Sequence, residues 1–273
     1  MIDAQIRGYY ERGDERDRLF AGGERLELVR TRELVRRYIP PPPAAVLDVG
    51  GGPGAYAGWL AEAGYRVHLI DPIPLHVEQA TAAAAAQPAH PFTAAVGDAR
   101  RLAAADASYD AVLLFGPLYH LTVRADRLAV LAESRRVLRP GGVALAVGIS
   151  RFASLLDALR LGVLGDPLAA GIVARDLIDG QHRNPAPDRF PGWFTTAFFH
   201  HPSELAAEVE ESGFALETLL GIEGPGAFVG PGGNEPGQRE SILEAARAVE
   251  QEPSLLGLSA HLLAVGHKGD GAA

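Results

Sequence analysis

Three aspartates follow predicted strands in the first half of the chain and have the chemistry to hold a polar ligand. Asp48 lies two residues before a glycine-rich stretch, Asp71 ends a short apolar run, and Asp98 comes soon after the next one. A carboxylate accepts charge-assisted hydrogen bonds from hydroxyl, amine or ammonium donors. The carboxyl ends of parallel strands meet at one edge of a sheet, so we expect all three side chains to face one ligand.

The glycine-rich stretch Gly50–Gly54 predicts a tight turn between a strand, Ala45–Val49, and a helix, Ala55–Ala63. Glycine adopts positive φ without strain and lets a ligand approach the backbone closely. The helix that follows begins with unpaired N–H groups, which attract acceptor atoms. A strand, a glycine turn and a helix in this order are typical of a nucleotide-binding site.

Two kinds of nucleotide are compatible with this turn. Gly50, Gly52 and Ala55 fit the pattern G-x-G-x-x-G/A of NAD-binding proteins, and Asp71 lies about twenty residues on, where that pattern expects a ribose contact. Asp48 would repel a pyrophosphate but would attract the cationic amino-acid moiety of S-adenosylmethionine (SAM). Pro53 removes an N–H donor that a phosphate would use. These two residues favour SAM.

The segment Asp48–Gly54 resembles the glycine motif of class I SAM-dependent methyltransferases, in particular the type 11/25-like members with small-molecule acceptors. Ile70–Pro72, Gly97–Ala99 and Leu138–Gly142 resemble further motifs of that family, in the same order. The resemblance covers residues 44–150 and continues in a tail at 202–267. It implies a Rossmann-like α/β fold: a mostly parallel seven-stranded sheet with helices on both faces and an antiparallel last strand.

The resemblance also implies roles for individual residues. Asp48 would anchor the amino-acid end of SAM, Asp71 the ribose, and Asp98 the exocyclic amine of adenine, with the backbone N–H of Ala99 beside it. S-adenosylhomocysteine (SAH) would be the product, and no metal is expected. The remaining residues expected to contact the cofactor are Gly50, Gly51, Gly52, Gly54, Pro72, Phe115, His120, Tyr9, Arg30 and Thr31.

A general base is needed if the methyl acceptor arrives protonated, and His120 with its neighbour Tyr119 is the first candidate. Histidine exchanges protons near neutral pH. His200 and His201, beside an aromatic cluster, are second candidates. His120 has two other interpretations, a contact to the methionine moiety of SAM or a structural bond to the backbone. Clustered acids and amides, which a metal-dependent site needs, are absent after the fourth predicted strand.

Composition divides the chain into four parts of one compact domain. Residues 1–43 predict a helical cap, ended by Pro40–Pro43, and residues 44–150 predict the SAM-binding core. Residues 151–200 predict a helical and aromatic insertion, and residues 201–273 the rest of the core. The insertion is interpreted as a lid or substrate wall, with a satellite core as the alternative. Its aromatic residues are Phe190, Trp193, Phe194, Phe198 and Phe199.

The charge and composition of the 273 residues narrow the classes of partner. A net charge of −9 argues against nucleic acid or an anionic membrane surface. The absence of cysteine excludes disulfides and thiolate metal sites. No signal-peptide core or membrane-spanning run is apparent, so we expect a cytoplasmic monomer or homodimer that acts on a small molecule.

Together these features predict methyl transfer from SAM to an oxygen or nitrogen nucleophile of a small metabolite or natural product by in-line displacement. One alternative is a NAD-dependent oxidoreductase. Lys268 is the single lysine of the chain, which argues against a dehydrogenase with a Tyr–Lys pair. The other alternative is a non-catalytic binding or regulatory protein that keeps the SAM fold.

Overall fold

The protein, described here by a computed structural model, is an alternating α/β chain. The structure describes residues 4–10, 15, 19, 25–190, 192–228 and 236–270. The helices are α1 (Ala4–Tyr10), α2 (Leu26–Tyr38), α3 (Ala55–Glu62), α4 (Pro74–Ala86), α5 (Pro117–His120), α6 (Arg124–Val137), α7 (Ala153–Leu161), α8 (Pro167–Asp179), α9 (Pro202–Glu211) and α10 (Pro236–Val249). The strands are β1 (Ala45–Val49), β2 (Arg66–Asp71), β3 (Thr93–Val96), β4 (Tyr109–Leu114), β5 (Leu138–Ser150), β6 (Gln181–Arg183), β7 (Thr196–His200), β8 (Ala215–Gly221) and β9 (His261–His267).

The sheet confirms the predicted fold class. Strands β3, β2, β1, β4 and β5 are parallel neighbours in that order. The last strand, β9, pairs antiparallel with β5, and β8 pairs antiparallel with β9. These seven strands agree with the seven-stranded sheet that the resemblance implies, and β1 has the predicted boundaries, Ala45–Val49.

The central strands are buried on both faces of the sheet, which explains why their sequences are continuously apolar and do not alternate with polar residues. Val46 packs with one hydrophobic cluster, whereas its neighbour Leu47 packs with the cluster on the opposite face of the sheet. Leu113 and Leu114 of β4 divide in the same way. This alternation follows from the two-residue period of a strand and places the carboxyl ends of β1, β2 and β4 at one edge.

The insertion at 151–200 adds two strands that the sequence analysis did not predict. Strand β7 pairs in parallel with the end of β5, where Ile149 lies beside Phe199, and β6 pairs antiparallel with β7. All five residues of β7 are buried, as expected for a short run of threonine, alanine and aromatic side chains in a sheet. The part of the sheet within the described residues therefore has nine strands.

In the part of the chain that the structure describes, no helix combines the length and the apolar character needed to span a bilayer.

Candidate functional site

A cavity of about 360 Å³ opens at the carboxyl edge of the sheet, beside the glycine turn. Its volume is in the range that holds small-molecule ligands. Ten residues that the sequence analysis assigned to the site come together in its wall. They are Gly50, Gly51, Gly52, Asp71, Pro72, Asp98, Ala99, Phe115, Tyr119 and His120.

Close packing explains the glycine turn. Gly50 has φ +73°, and a Cβ there would lie 2.8 Å from Cδ of Pro117. A Cβ on Gly51 would lie 2.6 Å from Oδ2 of Asp48. The next residue, Gly52, donates its backbone N–H to Oδ2 of Asp71 at 2.9 Å. The turn thus packs against Asp48 of β1 and is hydrogen-bonded to Asp71 of β2. Larger side chains at Gly50 or Gly51 would displace it.

Asp48 lies beneath the turn and not in the cavity wall. Its side chain is fully buried, and among the described residues neither carboxylate oxygen has a hydrogen-bond partner. Burial, together with the nearby charge of Asp71, raises the pKa of Asp48 to about 7. A buried carboxylate without a donor strongly favours a cation nearby. Its role at the amino-acid end of SAM stays a prediction.

Asp71 holds the loops around the cavity together. One oxygen accepts from the backbone N–H of Gly52, and the other accepts from the backbone N–H of Ile73 at 2.9 Å. The second oxygen also lies 3.1 Å from Nδ1 of His76, a buried residue in the first turn of α4 that lines the cavity. His76 was missed in the sequence, although it lies only five residues after Asp71.

Asp98 forms a bidentate ion pair with Arg100. Oδ1 and Oδ2 of Asp98 lie 3.0 and 2.6 Å from the Arg100 guanidinium, which also contacts Asp126 at 2.9 Å. The hydrogen bonds from Arg100 outweigh partial burial and lower the pKa of Asp98 to about 2. Arg100 and Asp126 line the cavity and were also missed. The proximity of Arg100 to Asp98 in the sequence was the available signal.

His120 lines the cavity and lies among aromatic rings. Its Nε2 is 2.5 Å from the hydroxyl of Tyr10, and the ring of Tyr119 is 4.7 Å away. The Tyr119 hydroxyl donates to the backbone oxygen of Phe115 at 2.8 Å, which directs it away from proton chemistry. Tyr10 was missed, whereas the side chain of its predicted neighbour, Tyr9, lies outside the described residues.

The structure places His200 and His201, the second candidates for a general base, outside the cavity wall. His200 is buried, its Nε2 lies 3.4 Å from Glu208, and burial lowers its pKa. His201 is exposed and accepts from the backbone N–H of Ser203 as the N-cap of α9. Neither residue lines the cavity. They look close to the site in sequence because β7 runs from the aromatic cluster into the core.

Three residues expected to contact the cofactor also lie away from the cavity. Arg30 is buried and donates to the backbone oxygen of Ile222 at 3.1 Å, and it pairs with Glu250 at 2.5 Å. Thr31, beside it in α2, is buried as well. Gly54 has φ +94° and is the N-cap of α3. The first two attach α2 to the C-terminal part of the core, and the third starts a helix.

The predicted aromatic lid divides into three groups. Phe190 and Trp193 pack with α7 and α8 in a separate hydrophobic cluster, which is the satellite core considered as the alternative. Phe198 and Phe199 are buried within β7. Phe194 is different, because its ring lies 5.3 Å from that of His120 and 6.2 Å from that of Tyr119. A single member of the cluster therefore reaches the predicted site.

Within the described ranges, one group of three side chains has metal-ligand chemistry, Glu27, Glu223 and His261. Glu223 accepts from the hydroxyl of Ser259 at 2.9 Å, and its other oxygen lies 2.5 Å from Nδ1 of His261. None of the three lines the cavity. Their contacts join the end of β8 to the start of β9, and the absence of a metal from the methyl-transfer site stays a prediction.

Comparison with known proteins gives consistent results. A family described as "Methyltransferase domain" matches residues 46–142. A ubiquinone biosynthesis O-methyltransferase from Xanthomonas axonopodis pv. citri is 30% identical over 191 residues, which cover 70% of this chain and 70% of that protein. A ubiquinone/menaquinone biosynthesis C-methyltransferase from Caulobacter vibrioides is 28% identical over 204 residues, covering 70% and 75%. The crystal structure of a SAM-dependent methyltransferase from Mesorhizobium loti has a TM-score of 0.60 at 17% identity, covering 89% of this chain and all of that one, and shows the same fold.

Proposed function

The chain belongs to the class I SAM-dependent methyltransferases, and we propose that it methylates an oxygen or nitrogen nucleophile of a small, partly apolar metabolite. The observation that carries this proposal is the location of His120. Its imidazole lies in the cavity that contains the glycine turn, between the Tyr10 hydroxyl and the rings of Tyr119 and Phe194. Aromatic walls bind an apolar ring, and an imidazole among them is suited to accept a proton.

The residues of the cavity fit a cationic nucleoside. The carboxylate of Asp48 is buried without a donor directly under the turn, and Asp71 and Asp98 follow at the ends of β2 and β3. Asp48 would favour the charged amino-acid end of SAM, and Asp71 and Asp98 would hold the ribose and adenine. When bound, SAM supplies a methyl group that is already activated by its positive sulfur.

The protein then needs to orient the acceptor, exclude water and remove one proton. We assign the proton to Nε2 of His120, which the acceptor reaches through the Tyr10 hydroxyl 2.5 Å away. Phe194 covers the imidazole from the side of the insertion. These three residues come from parts of the chain that are far apart in sequence, so the acceptor subsite depends on tertiary packing.

The curated relatives narrow the first acceptors to be tested. One of them is named as an O-methyltransferase of ubiquinone biosynthesis, and another as a C-methyltransferase of ubiquinone and menaquinone biosynthesis. Both names point to ring-containing acceptors. For this chain we propose a phenolic oxygen as the first candidate and an arylamine nitrogen as the second.

Calorimetry with SAM, SAH and NAD, followed by measurement of SAH release in the presence of phenols, catechols and arylamines, tests the proposal. We expect binding of SAM and SAH, no binding of NAD, and turnover with at least one acceptor. The position of the new methyl group is read by mass spectrometry and NMR. Methylation at a ring carbon would contradict a heteroatom acceptor. Tight SAM binding without turnover of any acceptor would favour a binding protein.

We also propose that the protein acts in the cytoplasm as a monomer or homodimer and binds no nucleic acid. The net charge of −9 supports the last point, because phosphate would be repelled. Light scattering and a DNA- and RNA-binding assay at low salt measure these properties.

A further inference from the structure

A buried pair of ionisable residues lies in the insertion, outside the cavity wall. Asp176 is in α8 and His182 is in β6, and their side chains are 0% and 1% exposed. Oδ2 of Asp176 lies 2.8 Å from Nδ1 of His182. The other ring nitrogen of His182, Nε2, lies 2.9 Å from the backbone oxygen of Phe194.

The two partners of His182 set the orientation of its ring. A backbone oxygen only accepts, so Nε2 carries the hydrogen that bonds Phe194. Nδ1 forms the second hydrogen bond, with Oδ2 of Asp176. The other oxygen of Asp176, Oδ1, is buried and has no hydrogen-bond partner among the described residues. The ring is thus held at both nitrogens, by α8 on one side and by the Phe194 peptide on the other.

Aromatic residues connect this pair to His120 in the cavity wall. His182 stacks on Phe199 of β7, with ring centres 4.6 Å apart and planes at 14°. The His182 ring is therefore held against the sheet, and through Nε2 it fixes the peptide of Phe194. The side chain of Phe194 contacts the imidazole of His120 on the other side. A continuous path of contacts thus runs from Asp176 to His120.

We propose that His182, held by Asp176, is a positioning residue that keeps Phe194 against His120 and so orients the imidazole that lines the cavity. The proposal rests on the proposed function for its catalytic meaning. Its structural content, a His182 that sets the environment of His120 through the Phe194 peptide, is independent of any acceptor. Loss of either hydrogen bond of His182 loosens the Phe194 peptide and the packing behind His120.

NMR of protein labelled with ¹⁵N-histidine tests these hydrogen bonds directly. We expect Nε2 of His182 to give the signal of a protonated nitrogen, identified by its loss in His182→Asn. A His182 ring with an unprotonated Nε2 would overturn the proposal. In Asp176→Ala the ring loses its partner at Nδ1, and we expect the His120 ring signals to move because Phe194 moves. An unchanged His120 signal in Asp176→Ala would also overturn it.

Kinetics provide the second readout, with Asp157→Ala as the matched control. Asp157 accepts from the indole N–H of Trp193 at 2.7 Å, so this variant removes a hydrogen bond of the same insertion and leaves the bond between His182 and the Phe194 carbonyl in place. We expect Asp176→Ala to raise the acceptor KM about fivefold or more, the effect of one lost hydrogen bond, with an unchanged Kd for SAM. Asp176→Asn, whose amide can still bond Nδ1, should keep the wild-type KM. In a Phe194→Ala background, Asp176→Ala should add nothing to the KM.

The outcomes separate this inference from the proposed function. If the wild-type protein methylates no acceptor, the proposed function fails, and the His182 and His120 signals alone decide the inference. If acceptors turn over and Asp176→Ala lowers only the melting temperature, as Asp157→Ala does, the pair stabilises the insertion without positioning Phe194, and the inference is wrong.

Discussion

The two sides of the cavity are built in different ways. The proposed cofactor side consists of Gly50–Gly52, Asp71 and Asp98, which lie on successive turns after strands at one sheet edge. The proposed acceptor side consists of Tyr10 and His120, with Phe194 packed against the histidine, and Tyr10 is 110 residues from the histidine that it contacts. Local backbone geometry is sufficient to form the first side, whereas the second exists only when α1, α5 and the insertion pack together.

The two sides also differ in polarity. Carboxylates dominate the cofactor side, where burial raises the pKa of Asp48 to about 7 and Arg100 lowers that of Asp98 to about 2. Aromatic rings dominate the acceptor side. Substitutions on the cofactor side should therefore change SAM affinity, and substitutions on the acceptor side should change turnover. A variant that changes both equally would erase the distinction.

The largest effect is expected from His120→Ala, on the acceptor side. Loss of a general base lowers kcat by about 10²- to 10⁴-fold, and the Kd for SAM should stay within about twofold because the carboxylates are untouched. His68→Ala is the control, since His68 bonds Thr93 at 2.7 Å and lies outside the cavity wall. Equal losses of turnover and SAM affinity would make His120 a cofactor contact.

Asp71→Ala, on the cofactor side, should weaken SAM binding more than about tenfold. The variant removes a charge-assisted acceptor and also the bond that holds the N–H of Gly52. Asp110→Ala is the matched control: its carboxylate accepts from the N–H of Ala45 at 2.7 Å, at the opposite edge of the sheet. Calorimetry that gives the same Kd for wild type and Asp71→Ala would reject the ribose role.

Asp48→Asn should raise the stability of the fold while it weakens the binding of SAM. The folded-state pKa of about 7 lies above the usual value of 3.8, so the native state keeps a proton that the unfolded chain loses. The contribution of Asp48 to wild-type stability therefore falls as pH rises from about 4 to about 7, by up to about 4 kcal/mol. Denaturant unfolding should show that Asp48→Asn gains stability over this window and keeps it above pH 7.

The same substitution should weaken SAM binding several-fold at pH 8, where the wild-type carboxylate is ionised and attracts the cation. Affinity of the wild type should rise as pH increases through about 7, and that of Asp48→Asn should be flat. A wild-type protein whose SAM affinity does not vary between pH 6 and 8 would show that Asp48 does not sense the ligand charge.

The smallest effect is expected from Tyr10→Phe. Removal of its hydroxyl costs one hydrogen bond to His120, about 1 kcal/mol, which corresponds to roughly a fivefold loss of kcat. SAM affinity should not change, and Tyr109→Phe in β4 is the control. A kcat within experimental error of the wild type would remove Tyr10 from the proton path.

The sequence was sufficient to predict those parts of the fold that backbone sterics and the local hydrophobic pattern determine. The glycine turn, the strands around it and the location of Asp71 and Asp98 follow from backbone sterics and from apolar runs of strand length. Strands β1, β2 and β3 are neighbours in the sheet in the order of the chain, so the turns that follow them lie at one edge. For this reason the fold class was confirmed, and ten of the assigned site residues line one cavity.

The sequence was insufficient to predict contacts between residues that are far apart in the chain. Arg30 resembles a cofactor contact by its motif, but a buried carboxylate, Glu250, lies 220 positions away and binds it instead. Phe198 and Phe199 belong to a sheet strand because the end of β5 offers a free edge in its last two residues. The sequence alone does not distinguish Tyr9 from Tyr10. The packing of α1 brings the hydroxyl of Tyr10 to His120.

The course of β5 has a consequence for how new specificities arise. The insertion leaves this strand at Arg151, whose backbone N–H donates to the carbonyl of His200, the last residue before the chain rejoins the core, at 2.8 Å. The two ends of the insertion are therefore joined directly by a backbone hydrogen bond. Exchange of residues 152–199 for a segment of different length would replace β6, most of β7 and Phe194, and would leave β1 to β5 and the glycine turn in their present order.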